Sequence, residues 1–244
     1  GTTLSNYILP TTARGLGTIG VRALTVEFIG DDRMYDGSKI ATVTANLTVP
    51  NGYVTGDDLT VLRSATFDNK NVADNKPIAV TNVSLTGSDA SNYTVASTGT
   101  AAANVTRLSS VSWIGGTTGN WHDASNWAGG AVPDLDNVTG VTVPTGVTVS
   151  FDNMPVGTSA QAGAVTLGSL NAAGSTLNQS SGSLTVTGSV TVGVWEQTGG
   201  VAQVDGNFTT TQSFTQDMAS RLQVAGTATL GSTSAVVLGQ LTAL

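Results

Sequence analysis

The sequence predicts an all-β chain: a small β-sandwich or β-grasp-like module followed by a right-handed parallel β-solenoid, or β-helix. Three observations carry that prediction. Charged residues make up only 10 % and aromatics 5 % of the 244 residues. Thr, Ser, Asn and 30 Gly take their place, and Thr combines strand propensity with an uncharged face for water. No window places Glu, Lys, Arg and Ala at helical spacing. The second half repeats itself at short intervals, as stacked coils do.

The first half repeats on a longer period. Leu4-Ser5-Asn6-Tyr7-Ile8-Leu9, then Gly17-Thr18-Ile19, returns 86 residues later as Ala90-Ser91-Asn92-Tyr93-Thr94-Val95, then Ala103-Asn104-Val105. Residues 1–20 are therefore expected to be the tail of a preceding repeat, and 21–108 a complete β module. Strand-like runs cover 22–29, 41–49, 59–67, 78–86 and 93–105. Gly30-Asp31-Asp32, Pro50-Asn51-Gly52, Asp68-Asn69 and Ser88-Asp89 separate them with turn chemistry. Sandwich and β-grasp remain equally compatible with five such strands.

Residues 109–137 are expected to form a Trp-rich cap or linker. Trp113-Ile114-Gly115-Gly116 runs through Gly119-Asn120-Trp121 and Asn126-Trp127 to Val132-Pro133. Residues 138–244 are expected to be the solenoid. Leu184-Thr185-Val186-Thr187-Gly188 returns as Ala202-Gln203-Val204-Asp205-Gly206 after 18 residues and as Leu222-Gln223-Val224-Ala225-Gly226 after 20 more. Between them, Leu177-Asn178-Gln179 matches Trp195-Glu196-Gln197, and Phe214-Thr215-Gln216 is a third copy shifted by one residue. Apolar residues at alternate positions are stacked by such a period into continuous rows. The Gly at a fixed place is expected at a corner needing positive φ. Two packed antiparallel sheets are the alternative, but they require no register this regular.

Charge narrows the partners. A net charge of −7, with nine Lys and Arg scattered along the chain, leaves no basic patch for nucleic acid or for anionic membrane surfaces. With no Cys there is no disulfide, thiol nucleophile or Cys-type zinc site. No apolar run reaches the ~20 residues of a membrane-spanning helix, and no signal peptide is present. Gly1 reads as a cloning remnant and Leu244 breaks off within an apolar pattern, so the chain reads as an excerpt.

The segment Arg33-Met34-Tyr35-Asp36-Gly37-Ser38 resembles the opening of the YDG-type repeats of large bacterial exoproteins. The resemblance continues through Gly56-Asp57-Asp58-Leu59, Phe67-Asp68-Asn69-Lys70-Asn71-Val72, Lys76-Pro77, Leu85-Thr86-Gly87 and Asn92-Tyr93. It covers about 22–108. Such repeats occur in filamentous-haemagglutinin-like adhesins that Gram-negative bacteria export by two-partner secretion. The Trp-rich stretch is similar to segments leading into the β-helices of related surface proteins. The resemblance implies a secreted or cell-surface structural or adhesive segment serving adhesion, aggregation or display. It also implies an outer-membrane transporter as partner, and glycans or host or sibling cell surfaces as targets of the full-length protein. A carbohydrate-binding or polysaccharide-active β-helix is the alternative. The amino-terminal secretion domain of that family is absent from this chain.

The residues themselves point away from catalysis. His122 is the lone histidine and has no partner motif for a triad. Asp31-Asp32, Asp57-Asp58 and Asp134 with Asp136 are acid clusters, and Glu196, Asp205 and Asp217 are the acids of the coils. Paired acids suit glycoside hydrolysis, but these fall in turns or on different parts of a coil, so turn formation is the expectation. Neither calcium-loop nor other metal spacing is present, and no cofactor is implied. Trp113, Trp121 and Trp127 are the candidate carbohydrate platform, against a structural role plugging the open first coil. Trp195 replaces Leu177 one coil on and is expected in the core. The sequons at Asn46, Asn82, Asn92, Asn104, Asn137, Asn178 and Asn207 are frequent by chance in so Ser/Thr-rich a chain. In Tyr35-Asp36-Gly37, a Gly turn with the Tyr ring packed over a sheet is expected.

Overall fold

The computed structural model describes residues 15, 17, 20–47, 52–151, 164–231, 234–237 and 240–243. Most of the expected tail at 1–20, and Pro50 and Asn51 of the sharpest turn signal, lie outside the described residues. The described chain is all-β, without an α-helix. Its first strands are β1 (Arg22–Ala23), β2 (Glu27–Gly30), β3 (Arg33–Met34), β4 (Val43–Asn46), β5 (Thr60–Phe67), β6 (Ala73–Thr86), β7 (Tyr93–Thr94) and β8 (Gly99–Thr106). Next come β9 (Leu108–Ser112), β10 (Thr118–Asn120), β11 (Val138–Thr142), β12 (Thr148–Phe151), β13 (Ala164–Leu167), β14 (Ser169–Gln179) and β15 (Ser183–Val186). The last are β16 (Val190–Gln197), β17 (Val201–Val204), β18 (Phe208–Gln216), β19 (Arg221–Val224), β20 (Ala228–Thr229), β21 (Ser234–Val237) and β22 (Gln240–Ala243).

Two compact units emerge. The first comprises Gly1–Glu27, Ala45–Ser64 and Thr81–Gly99, and the second Phe28–Thr44, Ala65–Val80 and Thr100–Leu244. In the first, β1 runs parallel to β7, with Arg22 opposite Tyr93. The phenol oxygen of Tyr93 accepts from the Val54 amide at 2.9 Å and donates to Asp57. Asp58 and Asp89 do turn work: the Asp58 amide donates to Asp89 and the Ser88 amide donates to Asp58. Backbone donors that a strand cannot satisfy are thus met by short acidic side chains.

Besides strands of a four-stranded sheet ordered β3-β8-β6-β5, the second unit holds two parallel sheets. One is nine-stranded and contains β9 to β12, β14, β16, β18, β20 and β21; the other orders β13-β15-β17-β19-β22. The five-stranded sheet places Leu184 opposite Ala202 and Ala202 opposite Leu222, the alignment the sequence repeat predicts. Side chains alternate across a strand, so every second residue joins an inward column. Val165, Leu184, Ala202 and Leu222 form one column, and Leu167, Val186, Val204 and Val224 the next. All eight are buried. The nine-stranded sheet aligns Val111, Val141, Leu170, Val190 and Phe208, and beside them Val149, Leu177, Trp195 and Phe214. Truncating one of these buried side chains to Ala costs about 2–5 kcal/mol.

The one-residue shift of Phe214-Thr215-Gln216 has a structural answer. Val192 pairs with Thr210 but Val194 pairs with Ser213, so a bulge in β18 takes up the extra residue. Beyond it, Trp195 faces Phe214 and Gln197 faces Gln216.

The fixed glycines are explained differently from the expectation. Gly188, Gly206 and Gly226 are not among the positive-φ residues. They are needed for close approach instead: a Cβ on Gly188 would sit 2.3 Å from the Gly168 oxygen, and those on Gly206 and Gly226 would sit 2.5 Å from the backbone of the preceding glycine. Positive φ is found at a second pair, Gly182 and Gly200, at +77° and +76°.

Strands β9 and β10, from the Trp-rich stretch, belong to the nine-stranded sheet. β9 pairs with β11 and β10 with β12, both parallel. The sheet's first row therefore begins at Leu108, the last residue expected of the first module, and continues into the stretch expected to be a cap.

Candidate functional site

The most concentrated polar chemistry of the second unit gathers around Asp134. Val132 and Pro133 bring the chain inward, and Leu135 follows with φ +47°. A bulky residue in the left-handed region is strained by about 1–3 kcal/mol and persists only where its surroundings hold it. Here the Leu135 amide donates to the Ala164 carbonyl at 2.9 Å, and its carbonyl accepts from Thr166. The strained residue thus fixes the direction of Asp134.

Asp134 is 5 % exposed. Its Oδ1 accepts from Asn137 Nδ2 at 2.8 Å and from the Tyr35 hydroxyl at 3.2 Å. Its Oδ2 pairs with the Lys70 ammonium. The same Tyr35 hydroxyl lies 2.9 Å from the Val132 carbonyl oxygen, and Lys70 Nζ stands 5.8 Å from the Tyr35 ring centre. Asn137, itself fully buried, accepts from the Val72 amide at 2.9 Å through Oδ1 and donates to Asn71. Burial first, and the Asp134 carboxylate second, push the Tyr35 phenol far above its ordinary value. Every polar group of this cluster has a partner, as burial demands.

Local sequence explains how Tyr35 gets there. Gly37 takes φ +76°, and a Cβ on it would sit 2.3 Å from the Gly130 oxygen. Only Gly meets both demands. Asp36 closes the turn by accepting from the Ser38 amide. The turn expected of Tyr35-Asp36-Gly37 is present, and the Tyr ring is buried, with its hydroxyl on the Val132–Asp134 segment.

The three candidate platform residues are brought together, but inward. Trp113, Trp121 and Trp127 are 2 %, 0 % and 0 % exposed. Trp127 meets Trp113 edge-on at 5.2 Å and Trp121 at 4.9 Å, and Trp121 packs on Phe151 at 5.5 Å. Their indole nitrogens donate to the carbonyls of Gly116, Pro133 and Trp121. Stacking on a sugar needs an open ring face, and these faces are occupied. The carbohydrate platform is therefore corrected to a buried aromatic cluster. Trp195 is fully buried in register with Leu177, as the repeat alignment expects.

The remaining acids are dispersed. Asp32 accepts from the Asn104 amide and side chain; Asp136 pairs with Arg107; Glu196 and Asp205 are exposed, on β16 and beyond the end of β17. Among the described residues no group of three or more His, Cys, Asp or Glu is placed to hold a metal ion. His122 lies against the Phe151 ring at 5.1 Å. The sequon Asn137 is buried within the Asp134 cluster, where no glycan fits.

A feature not foreseen from sequence runs through the interior beside the Trp195 column. Gln179, Gln197 and Gln216 are 1 %, 0 % and 0 % exposed. Gln197 Nε2 donates to Gln179 Oε1 at 3.0 Å, and Gln216 Nε2 to Gln197 Oε1 at 3.3 Å. Gln179 and Gln197 also donate across the interior to the carbonyls of Val201 and Arg221. The spacing of these three glutamines is visible in the repeat alignment, but nothing in it marks them as an interior column.

The family model of the YDG domain matches residues 21–103. This segment of the chain is a YDG domain, and it contains Tyr35 and Lys70 of the cluster described above. No curated protein and no solved structure matches the chain.

Proposed function

We propose that this chain is a structural segment of a secreted bacterial surface adhesin: a YDG module followed by a parallel β-solenoid that serves as stalk or display element. The observation carrying this reading is the register of the parallel strands, in which buried columns recur every 18 to 20 residues. Stacked rungs of this kind extend by about 4.8 Å each and rely on neighbouring rungs for their core. The outward column Thr166, Thr185, Gln203 and Gln223 is uncharged, which suits a passive shaft better than an electrostatic binding face. Length in the parent protein would come from many copies. Export by two-partner secretion to the exterior of a Gram-negative outer membrane follows from the resemblance of the YDG segment to large exoproteins. The occluded Trp rings take away the observation on which a carbohydrate-active reading would stand.

Glycan-array profiling of the purified chain tests this. The stalk reading expects no saturable binding, and bacteria displaying the chain alone should not aggregate. Saturable binding to one glycan class, or aggregation by the displayed chain, would overturn it.

A further inference from the structure

We infer that Lys70 and Asp134 become joined by an intramolecular amide bond. Three features of the site favour it. The Lys70 ammonium and Asp134 Oδ2 are in direct contact, with Asp134 side-chain exposure of only 6 %. The other carboxyl oxygen, Oδ1, receives Asn137 Nδ2 at 2.8 Å and lies 3.2 Å from the Tyr35 hydroxyl, whose single hydrogen it shares with the Val132 carbonyl. The backbone on both sides of the pair is fixed: Asn137 holds the Val72 amide, and Leu135 is clamped to Ala164 and Thr166. Reacting groups held this way reach effective concentrations of about 10⁵–10⁸ M.

The step needs no other reactant. One proton passes from Nζ to Oδ2, giving a neutral amine beside a neutral acid. The Nζ lone pair attacks Cγ, and the Cγ–Oδ1 π pair moves onto Oδ1. Asn137 and Tyr35 stabilise the developing oxyanion as preorganised donors. A second Nζ proton moves to Oδ2, the Oδ1 pair re-forms the carbonyl, the Cγ–Oδ2 bond breaks, and Oδ2 leaves as water. Ammonium and carboxylate become one secondary amide and one water. The Tyr35 ring, 5.8 Å from Nζ, covers one side of the lysine. The bond would tie the YDG segment to the chain 64 residues further on, closing a loop that pulling forces could not open.

Intact mass spectrometry of the whole chain under denaturing conditions tests this. The expected mass is one water below that of the sequence, and proteolysis should release a branched peptide carrying Lys70 and Asp134. Lys70→Arg keeps the ion pair but not the amine, so it should show the full mass of its own sequence. A succinimide at Asp36-Gly37 also loses one water, but would persist in Lys70→Arg. Full sequence mass in the unaltered chain, or a water loss retained in Lys70→Arg, overturns the inference.

Discussion

The Tyr35 hydroxyl lies 2.9 Å from the carbonyl oxygen of Val132, although 97 positions separate the two residues. That contact places the Tyr of the Tyr-Asp-Gly turn in the interior of the second unit. Tyr35→Phe removes it and the bond to Asp134 while keeping the ring. The Val132 carbonyl keeps the Asp134 amide and Asp134 Oδ1 keeps Asn137, so the loss is that of one buried hydroxyl hydrogen bond, about 0.5–1.5 kcal/mol. Urea unfolding should show a loss in that range, and a double-mutant cycle with Asp134→Asn should be non-additive, as contacting residues are. Additive losses would separate the two side chains energetically.

The same phenol makes stability depend on alkaline pH. Burial raises the Tyr35 value above its ordinary one. A raised value means its contribution is complete below the unfolded value near ~10 and declines as pH climbs above it. The slope is about 1.4 kcal/mol per pH unit while the folded phenol stays protonated. Tyr93, pushed up by its hydrogen bond to Asp57, acts in the same direction. Denaturation curves between pH 9 and about 11.5 should therefore converge for Tyr35→Phe and the unaltered chain. Parallel curves would refute this assignment.

Gly206→Ala tests the close approach of the backbone at Gly188 and Gly206. The new Cβ would sit 2.5 Å from the Gly188 carbonyl, backbone that cannot swing aside, so overpacking of about 1–3 kcal/mol is expected. Gly116, with open space around its Cβ position, is the control: Gly116→Ala should change the melting temperature little.

Gln197→Leu breaks the interior glutamine column at its middle. The variant strands Gln179 Oε1 and removes one donor from the Arg221 carbonyl and one acceptor from Gln216. Each stranded buried group costs about 1–3 kcal/mol, whereas Glu196→Gln on the exposed face of the same strand should fall within about 0.5 kcal/mol of neutral. Chemical denaturation of the pair of variants reads the contrast directly.

All four Trp rings are buried, so native fluorescence should be blue-shifted and weakly quenched by acrylamide. Addition of oligosaccharides should leave it unchanged. Strong quenching would place at least one ring at the surface.

Much of the second unit was legible because strand alternation and repeat spacing act locally. Leu184, Ala202 and Leu222 could be aligned from sequence because one rung resembles the next. The Tyr35–Lys70–Asp134–Asn137 cluster was not legible, since its members are far apart and each has an ordinary turn-region neighbourhood. The Trp residues were found with two roles open, sugar platform and structural plug, because sequence cannot tell an exposed stacking face from one covered by another ring. Gly206 was found too, with the wrong cause, because close approach and positive φ select the same amino acid.

The bulge between Thr210 and Ser213 of β18, opposite Val192 and Val194, bears on how such a chain could change over generations. An extra residue swells one strand outward while Trp195, Phe214, Gln197 and Gln216 stay in line on the far side of it. A length change in one rung need not propagate to the next. A single inserted residue, which would throw an isolated hairpin out of step, becomes a local event within one strand.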